Sequence, residues 1–171
     1  MKLKKIESVC KNGACIRINR SPDGKLWIGD EAAVYFVGGL NDISKEQLFT
    51  IFDIPEEKRE SYSVVEDEVL YDDNDSAERI INRRLKTILC IGGRALAIYE
   101  VDGKPVCINT KYLTPFDDEK DVTLYIRNNG GRIVVKKGLF VIAVISAFDL
   151  ELLEELKNDI RFISEAFRLL R

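Results

Sequence analysis

The sequence predicts an α+β fold of antiparallel sheets, with two short helices and a long amphipathic helix at the C-terminus. Short apolar runs bounded by glycine-containing turns occupy both halves of the chain, a pattern typical of strands. Apolar residues recur every three or four positions over residues 153–170, which indicates a helix. We expect residues 1–60 to form an N-terminal β-meander plus helix and residues 61–171 a C-terminal sheet region with the terminal helix, one continuous domain being the alternative.

The N-terminal meander is predicted from four apolar runs, at residues 3–9, 14–19, 25–28 and 32–37. Ser-Pro-Asp-Gly at residues 21–24 predicts a tight turn, because proline presets φ and glycine permits a positive φ. Cys10 and Cys15 flank a predicted hairpin turn. A disulfide or a metal clip across that turn is conceivable, and free thiols are the alternative expected in a cytosolic chain.

The two short helices are predicted from their caps. Ser44 and Gln47 form the capping-box pattern that opens a helix, and Pro55 ends it. Residues 56–60 form a charged connector, and residues 63–71 a strand. Asp75 is then predicted to cap a second helix, which carries a basic group toward its C-terminal end.

The C-terminal sheet is predicted from six further runs, at residues 88–91, 95–101, 104–109, 122–127, 132–136 and 139–145. Glycine pairs at residues 92–93 and 130–131 and Asp102-Gly103 mark hairpin tips. The terminal helix has a heptad seam, which predicts a homo-oligomer through that seam or a helix lying across a sheet. The seam residues are Leu153, Leu156, Ile160, Ile163, Phe167 and Leu170.

The composition narrows the possible chemistry. The chain contains no histidine, which removes Ser-His-Asp and Cys-His catalysis and histidine metal sites. Its net charge of −3 gives no global attraction for nucleic acid. No apolar run reaches the roughly twenty residues of a membrane-spanning helix, and the N-terminus lacks the apolar core of a signal peptide. We therefore expect a cytoplasmic protein that is not an enzyme, with no cofactor, metal or membrane contact.

An acidic segment is the first candidate partner surface. Its carboxylates could contact a basic protein, mimic DNA phosphates or bind a hard cation, and a solvated loop before a helix is the alternative. The residues are Glu66, Asp67, Glu68, Asp72, Asp73 and Asp75.

A basic group is the second candidate, suited to a phosphate backbone or another partner. Pairing of these residues with the acidic segment upstream is the alternative. The group comprises Arg79, Arg83, Arg84 and Lys86 on the predicted second helix, extended by Lys136 and Lys137.

One segment resembles a subdomain of the bacterial sliding clamp. Ile108, Asn109, Lys111, Tyr112 and Leu113, followed by the run from Asp121 to Leu124 and two apolar strands, match the strand, Tyr-Leu helix start and hairpin of that family. The resemblance implies a clamp-like sheet. Pro115 would cut the channel-lining helix to a single turn, and the short chain would need several copies to form a ring.

The whole chain, especially WIGDEAAVYFVGGL and LFTIFDIPEEKR, also resembles uncharacterised prophage-encoded proteins of Gram-positive bacteria. That resemblance implies a phage origin and work in the bacterial host cytoplasm. The leading hypothesis is a non-enzymatic macromolecule-binding protein with a protein or DNA partner, in the form of a clamp-like accessory of DNA replication or recombination. An anti-CRISPR-like inhibitor of host defence acting by protein–protein contact is the alternative. A metal-dependent nuclease is the second alternative.

Overall fold

Strands outnumber helices in the computed structural model, which describes residues 3–40, 42–81, 83–127 and 131–148. The helices are α1 (Leu3–Gly13), α2 (Lys45–Ile51) and α3 (Glu56–Arg59), and two 3-10 turns lie at Thr110–Tyr112 and Thr114–Phe116. The first strands are β1 (Cys15–Arg20), β2 (Leu26–Gly29), β3 (Ala33–Phe36), β4 (Ser63–Glu68) and β5 (Arg79–Ile81). The others are β6 (Arg83–Ile91), β7 (Arg94–Val101), β8 (Lys104–Asn109), β9 (Val122–Arg127), β10 (Arg132–Lys137) and β11 (Phe140–Ser146).

The larger sheet has eight strands in the order β4-β1-β2-β3-β11-β10-β9-β5. Its neighbours are antiparallel except β1 and β4, which run parallel. Parallel neighbours need a crossover connection, and the chain from β3 through α2 and α3 to β4 supplies it. Because β3 pairs with β11, strands from both ends of the described chain lie in one sheet.

The smaller sheet is a three-stranded antiparallel meander, β6-β7-β8. The turn between β7 and β8 has φ values of 51° at Asp102 and 74° at Gly103, as the Asp-Gly sequence predicts for a type I′ turn. Side chains of both sheets enter one apolar core. Its members include Ile16, Ile18, Tyr35, Ala97, Ile108, Ile133 and Ile145.

The predicted fold class was wrong in its sheets and in two of its elements. The molecule is mostly β, and its large sheet is mixed rather than antiparallel. The predicted strand at residues 3–9 is helix α1, whose buried Ile6, Val9 and Cys10 follow helical spacing. Over so short a run, the sequence pattern fitted a strand as well as a helix.

The helix predicted after Asp75 does not form. Asp75 accepts a hydrogen bond from the Ala77 backbone N–H, which resembles a cap, but the chain continues into strands β5 and β6. Pairing of β5 with β9 buries Ile81 and outweighs the local helix signal. The capping box at Ser44 and the strand runs at β1, β3, β7, β8, β9, β10 and β11 are confirmed. The predicted terminal helix and its six seam residues lie outside the described residues.

Candidate functional site

Residues 69–78, which we name the strap, connect β4 at one edge of the large sheet to β5 at the opposite edge. The strap therefore crosses the outer face of that sheet, the face turned away from the smaller sheet. It covers a second apolar cluster there. The buried members of this cluster are Trp27, Val34, Val134 and Val141.

The first half of the strap is anchored by an aromatic contact. The Tyr71 ring lies 4.6 Å from the Trp27 ring, centre to centre. Asn19 donates a hydrogen bond from Nδ2 to the Tyr71 hydroxyl at 2.5 Å, and the Val69 backbone N–H donates to the Arg20 carbonyl at 2.9 Å. These contacts fix the strap over strands β1 and β2.

The second half of the strap is anchored by carboxylates. Asp73 accepts a hydrogen bond from the Val141 backbone N–H at 2.7 Å, and its other oxygen lies 3.3 Å from Lys25 Nζ. Glu78 binds Arg127 at 2.6 Å and also binds Lys136. Asp73 and Asp75 are the two half-buried members of the six acidic residues predicted to face a partner, and Asp75 lies 3.7 Å from Arg127.

The other four acidic residues are exposed: Glu66, Asp67, Glu68 and Asp72. Glu66 pairs with Arg20 at 2.7 Å, and Asp67 lies 3.9 Å from Arg17 Nε. Within the described residues, no group of His, Cys, Asp and Glu side chains is arranged to hold a metal ion.

The structure does not bring the six predicted basic residues together as one free patch. Arg79 pairs with Asp102 at 2.5 Å and Lys137 pairs with Glu119 at 2.7 Å. The buried Lys136 binds Glu78, while Arg84 and Lys86 are exposed on β6. Arg84 lies over the Tyr99 ring at 5.9 Å. The backbone of Arg83 belongs to β6, and its side chain is outside the described set.

The turn between β10 and β11 presents two adjacent apolar side chains, which we name the apolar tip. Leu139 is 78% exposed and Phe140 65% exposed. Asp73 of the strap binds the backbone of Val141 directly behind them, which ties the hairpin to the sheet face. The sequence pattern predicted a strand from Leu139 onward and gave no indication of an exposed tip. The available signal was an apolar pair immediately after the turn glycine Gly138.

A buried carboxylate joins the two sheets at a second site, the Asp30 junction. Asp30 is 4% exposed and follows β2. One oxygen accepts hydrogen bonds from the Ala32 and Ala33 backbone N–H groups, at 2.9 and 3.0 Å. The other oxygen lies 3.2 Å from Lys111 Nζ and 3.1 Å from the Tyr112 hydroxyl, both in the turn that follows β8.

The neighbours of Asp30 keep their protons at neutral pH. Burial pulls the pKa of Lys111 down, but its hydrogen bond with Tyr112 and the charge of Asp30 outweigh that effect and leave this pKa raised. Burial raises the pKa of Tyr112, and the Asp30 charge adds to that rise. Burial also raises the pKa of Tyr35, whose hydroxyl donates to the Tyr112 carbonyl at 3.0 Å. A cleft of about 590 Å³ lies beside this junction.

All four cysteines are free thiols, so the disulfide considered for Cys10 and Cys15 is not formed. The hairpin predicted between them was wrong, because Cys10 lies in α1 and Cys15 begins β1. Cys10 donates a hydrogen bond to the Gly29 carbonyl at 3.2 Å. Burial raises the pKa of both thiols, which keeps them in the weakly nucleophilic protonated form.

Gly29 itself admits no side chain. A Cβ at this position would lie 1.8 Å from the Ala33 carbonyl oxygen, so only glycine permits the close approach that places Asp30.

Comparison with known proteins returned no matching family model, curated protein or solved structure. Among the described residues, no helix has the length and apolar character needed to cross a membrane. The clamp-like and prophage resemblances therefore stay predictions, and the site has to be interpreted from its own geometry.

Proposed function

We propose that this chain is a non-enzymatic, phage-encoded protein that binds a protein partner through the apolar tip. The observation that carries the proposal is the pair of side chains at the tip, with Leu139 78% and Phe140 65% exposed. Large exposed apolar groups held on a rigid turn are typical of protein-binding surfaces, where aromatic side chains often contribute most to affinity.

The surroundings of the tip support a protein partner. Val141, next to Phe140, is 3% exposed and bound to Asp73, so the tip projects from a fixed base. A tip that is already ordered loses little conformational freedom on binding. At its other side Lys137 is paired with Glu119, which leaves the rim of the tip polar without a free lysine charge.

The charged groups favour protein over DNA as the partner. Arg79, Lys136 and Lys137 are each paired with a carboxylate, so three of the six predicted phosphate-binding residues are already neutralised. Contacts to a phosphate backbone depend on unpaired cations that can replace counterions. Only Arg84 and Lys86, among the predicted residues whose side chains are described, present exposed charges without a carboxylate partner.

The protonation states around Asp30 support a binding role rather than catalysis. Lys111, Tyr112, Cys10 and Cys15 all hold their protons, whereas a nucleophile or general base needs a lowered pKa.

A clamp-like accessory of DNA replication or recombination and an inhibitor of host defence are two forms of the same proposal. The identity of the captured protein decides between these two forms.

The test is affinity purification of the tagged protein from lysate of a Gram-positive bacterium, followed by mass spectrometry and nucleic-acid staining. We expect the wild type to capture a protein that the double variant Leu139→Ser, Phe140→Ser loses. The matched control is Ile51→Ser, which removes an apolar side chain that is 44% exposed on α2 and should leave capture intact.

Capture that is unchanged by the tip substitutions would refute the apolar tip as the binding surface. Recovery of nucleic acid alone, released as salt rises, would replace the protein partner with DNA.

A further inference from the structure

A small cavity, which we name the Asn19 cavity, lies on the outer face of the large sheet beside the first half of the strap. Its volume is about 150 Å³, on the order of five water molecules at ~30 Å³ each. Its polar lining side chains are Arg17, Asn19, Asp30, Glu31, Tyr71, Arg132 and Ser146, so the cavity borders the Asp30 junction. The apolar tip does not contribute to the lining.

Two buried polar atoms in this lining have no hydrogen-bond partner among the described residues. Asn19 is 1% exposed, and its Oδ1 is unpaired. The Nε of Arg17 is likewise unpaired, since its nearest carboxylate, Asp67, is 3.9 Å away and beyond hydrogen-bond distance. Buried polar atoms are nearly always paired, so these two indicate a missing ligand or water.

Positive charge converges on the same cavity. Arg17 comes from β1 and the exposed Arg132 from β10, and no described carboxylate is paired with Arg132. Burial raises the pKa of Tyr71, while its hydrogen bond with Asn19 and the charges of Arg17 and Arg132 oppose the rise. Both guanidinium groups are therefore close enough to act on the Tyr71 hydroxyl.

The hydrogen-bond pattern can supply further donors. The Tyr71 hydroxyl accepts from Asn19, so its own proton is available to a ligand. Rotating the Asn19 amide by half a turn lets Oδ1 accept the Tyr71 proton and turns two N–H donors toward the position that Oδ1 now occupies. In either arrangement, a hydrogen-bond donor is available to a ligand that carries several oxygen atoms.

We propose that the Asn19 cavity binds a phosphoryl group, held by Arg17 and Arg132 with Asn19, Tyr71 and Ser146 as further hydrogen-bond partners. Donors from three strands and the strap surround a tetrahedral group better than a planar carboxylate, which prefers one bidentate guanidinium. The carboxylates of Asp30 and Glu31 line the cavity, and Asp67 lies 3.9 Å from Arg17 Nε; all three limit the affinity of the cavity for an anion.

The experiment is an NMR titration of the full chain at low ionic strength, with inorganic phosphate as the probe and acetate as the carboxylate comparison. The observed signals are the Asn19 side-chain amide and the Arg17 Nε–H. We expect phosphate to shift both at lower concentrations than acetate. Arg132→Met should weaken phosphate binding about tenfold or more, because it removes a charge-assisted contact.

Two further variants separate a site from a general charge effect. Lys104→Met removes the same charge from an exposed position on β8 and should leave the phosphate affinity unchanged. Asp67→Asn removes a nearby negative charge and should tighten phosphate binding about two- to fivefold.

Equal weakening by Arg132→Met and Lys104→Met, or shifts that require the same high concentration of every anion, would identify an adventitious ion only and overturn the proposal. Stronger shifts with acetate than with phosphate would overturn the phosphoryl assignment. Arg132 is exposed, so its substitution should not prevent folding, and the unchanged backbone spectrum would verify this.

Discussion

The Asp30 junction and the strap both use carboxylates to hold strands together, but they distribute them differently. At the junction a single carboxylate, 4% exposed, meets two backbone N–H groups, a lysine and a tyrosine at one point. Along the strap, Asp73, Asp75 and Glu78 are spread across the sheet and bind separate or shared partners. We therefore expect a dense acidic run, although conspicuous in the sequence, to contribute less stability per residue than the single buried Asp30.

Removing the carboxylate of the Asp30 junction should have the largest effect. Asp30→Ala leaves the Tyr112 hydroxyl and two backbone N–H groups without their acceptor, and it removes the ion pair of Lys111, whose side chain is 34% exposed. We expect the free energy of unfolding to fall by about 3–5 kcal/mol, since each unsatisfied buried donor costs about 1–3 kcal/mol. Urea denaturation measures it, with Asp117→Ala as the control, because that side chain is 63% exposed and lies 4.0 Å from its lysine.

The control substitution should change the free energy of unfolding by less than about 0.5 kcal/mol, as for other exposed pairs. A similar loss of unfolding free energy in both variants would mean that the buried Asp30 contributes no more stability than an exposed carboxylate.

Alkaline pH should weaken the junction by a smaller amount. The pKa values of Lys111 and Tyr35 are raised in the folded state, so the folded protein holds these protons more tightly than the unfolded chain. Their stabilising contribution is complete below about pH 10 and is lost as pH rises through the folded values. Urea midpoints should decline as pH rises above about 10, and Tyr35→Phe should make that decline shallower. An equally steep decline in the variant would contradict this cause.

Loss of one strap anchor should cost less than loss of Asp30. Glu78→Gln removes the shared charge between Lys136 and Arg127, whose side chains are 7% and 11% exposed. We expect a loss of about 2 kcal/mol, since hydrogen bonds to charged groups contribute roughly 1.5–3 kcal/mol. Hydrogen exchange should show faster opening at residues 73–78 than elsewhere. A global loss equal to that of Asp30→Ala would mean that the strap is not held independently.

The smallest effect is expected at the start of β5. Arg79→Gln breaks an ion pair with Asp102 in which the two side chains are 49% and 63% exposed. The free energy of unfolding should change by no more than about 0.5 kcal/mol, because exposed pairs contribute little after screening. A larger change in urea denaturation would show that this pair has a role beyond the surface.

Two local sequence signals predicted the local structure correctly. Ser44 and Gln47 satisfy each other across one helical turn, so the capping box needs no distant partner. Asp102-Gly103 likewise specifies its own turn.

The pairing of strands that are distant in sequence was not predictable in this way. Nothing in the residues of β4 indicates that β1 becomes its parallel neighbour, or that β9 captures residues 79–81.

The candidate sites were predicted only in part. The acidic and basic residues were recognised, but the expected pairing between the two groups is not found among the described contacts. Glu66, Asp73 and Asp75 bind Arg20, Lys25 and Arg127, whereas Arg79, Lys136 and Lys137 bind Asp102, Glu78 and Glu119, and these partners are set by the order of the strands. No sequence motif marks Asp30, Asn19 or Phe140. Their candidate roles follow from the burial of Asp30 and Asn19 and the exposure of Phe140, which the fold determines.

Hydrogen exchange on the complex with the captured partner tests whether the apolar tip is the binding surface. We expect slower exchange at residues 137–142, around the apolar tip, with residues 84–90 of β6 unchanged. Protection of β6 with no change at the tip would contradict it, because the partner would then contact the exposed Arg84 and Lys86 instead.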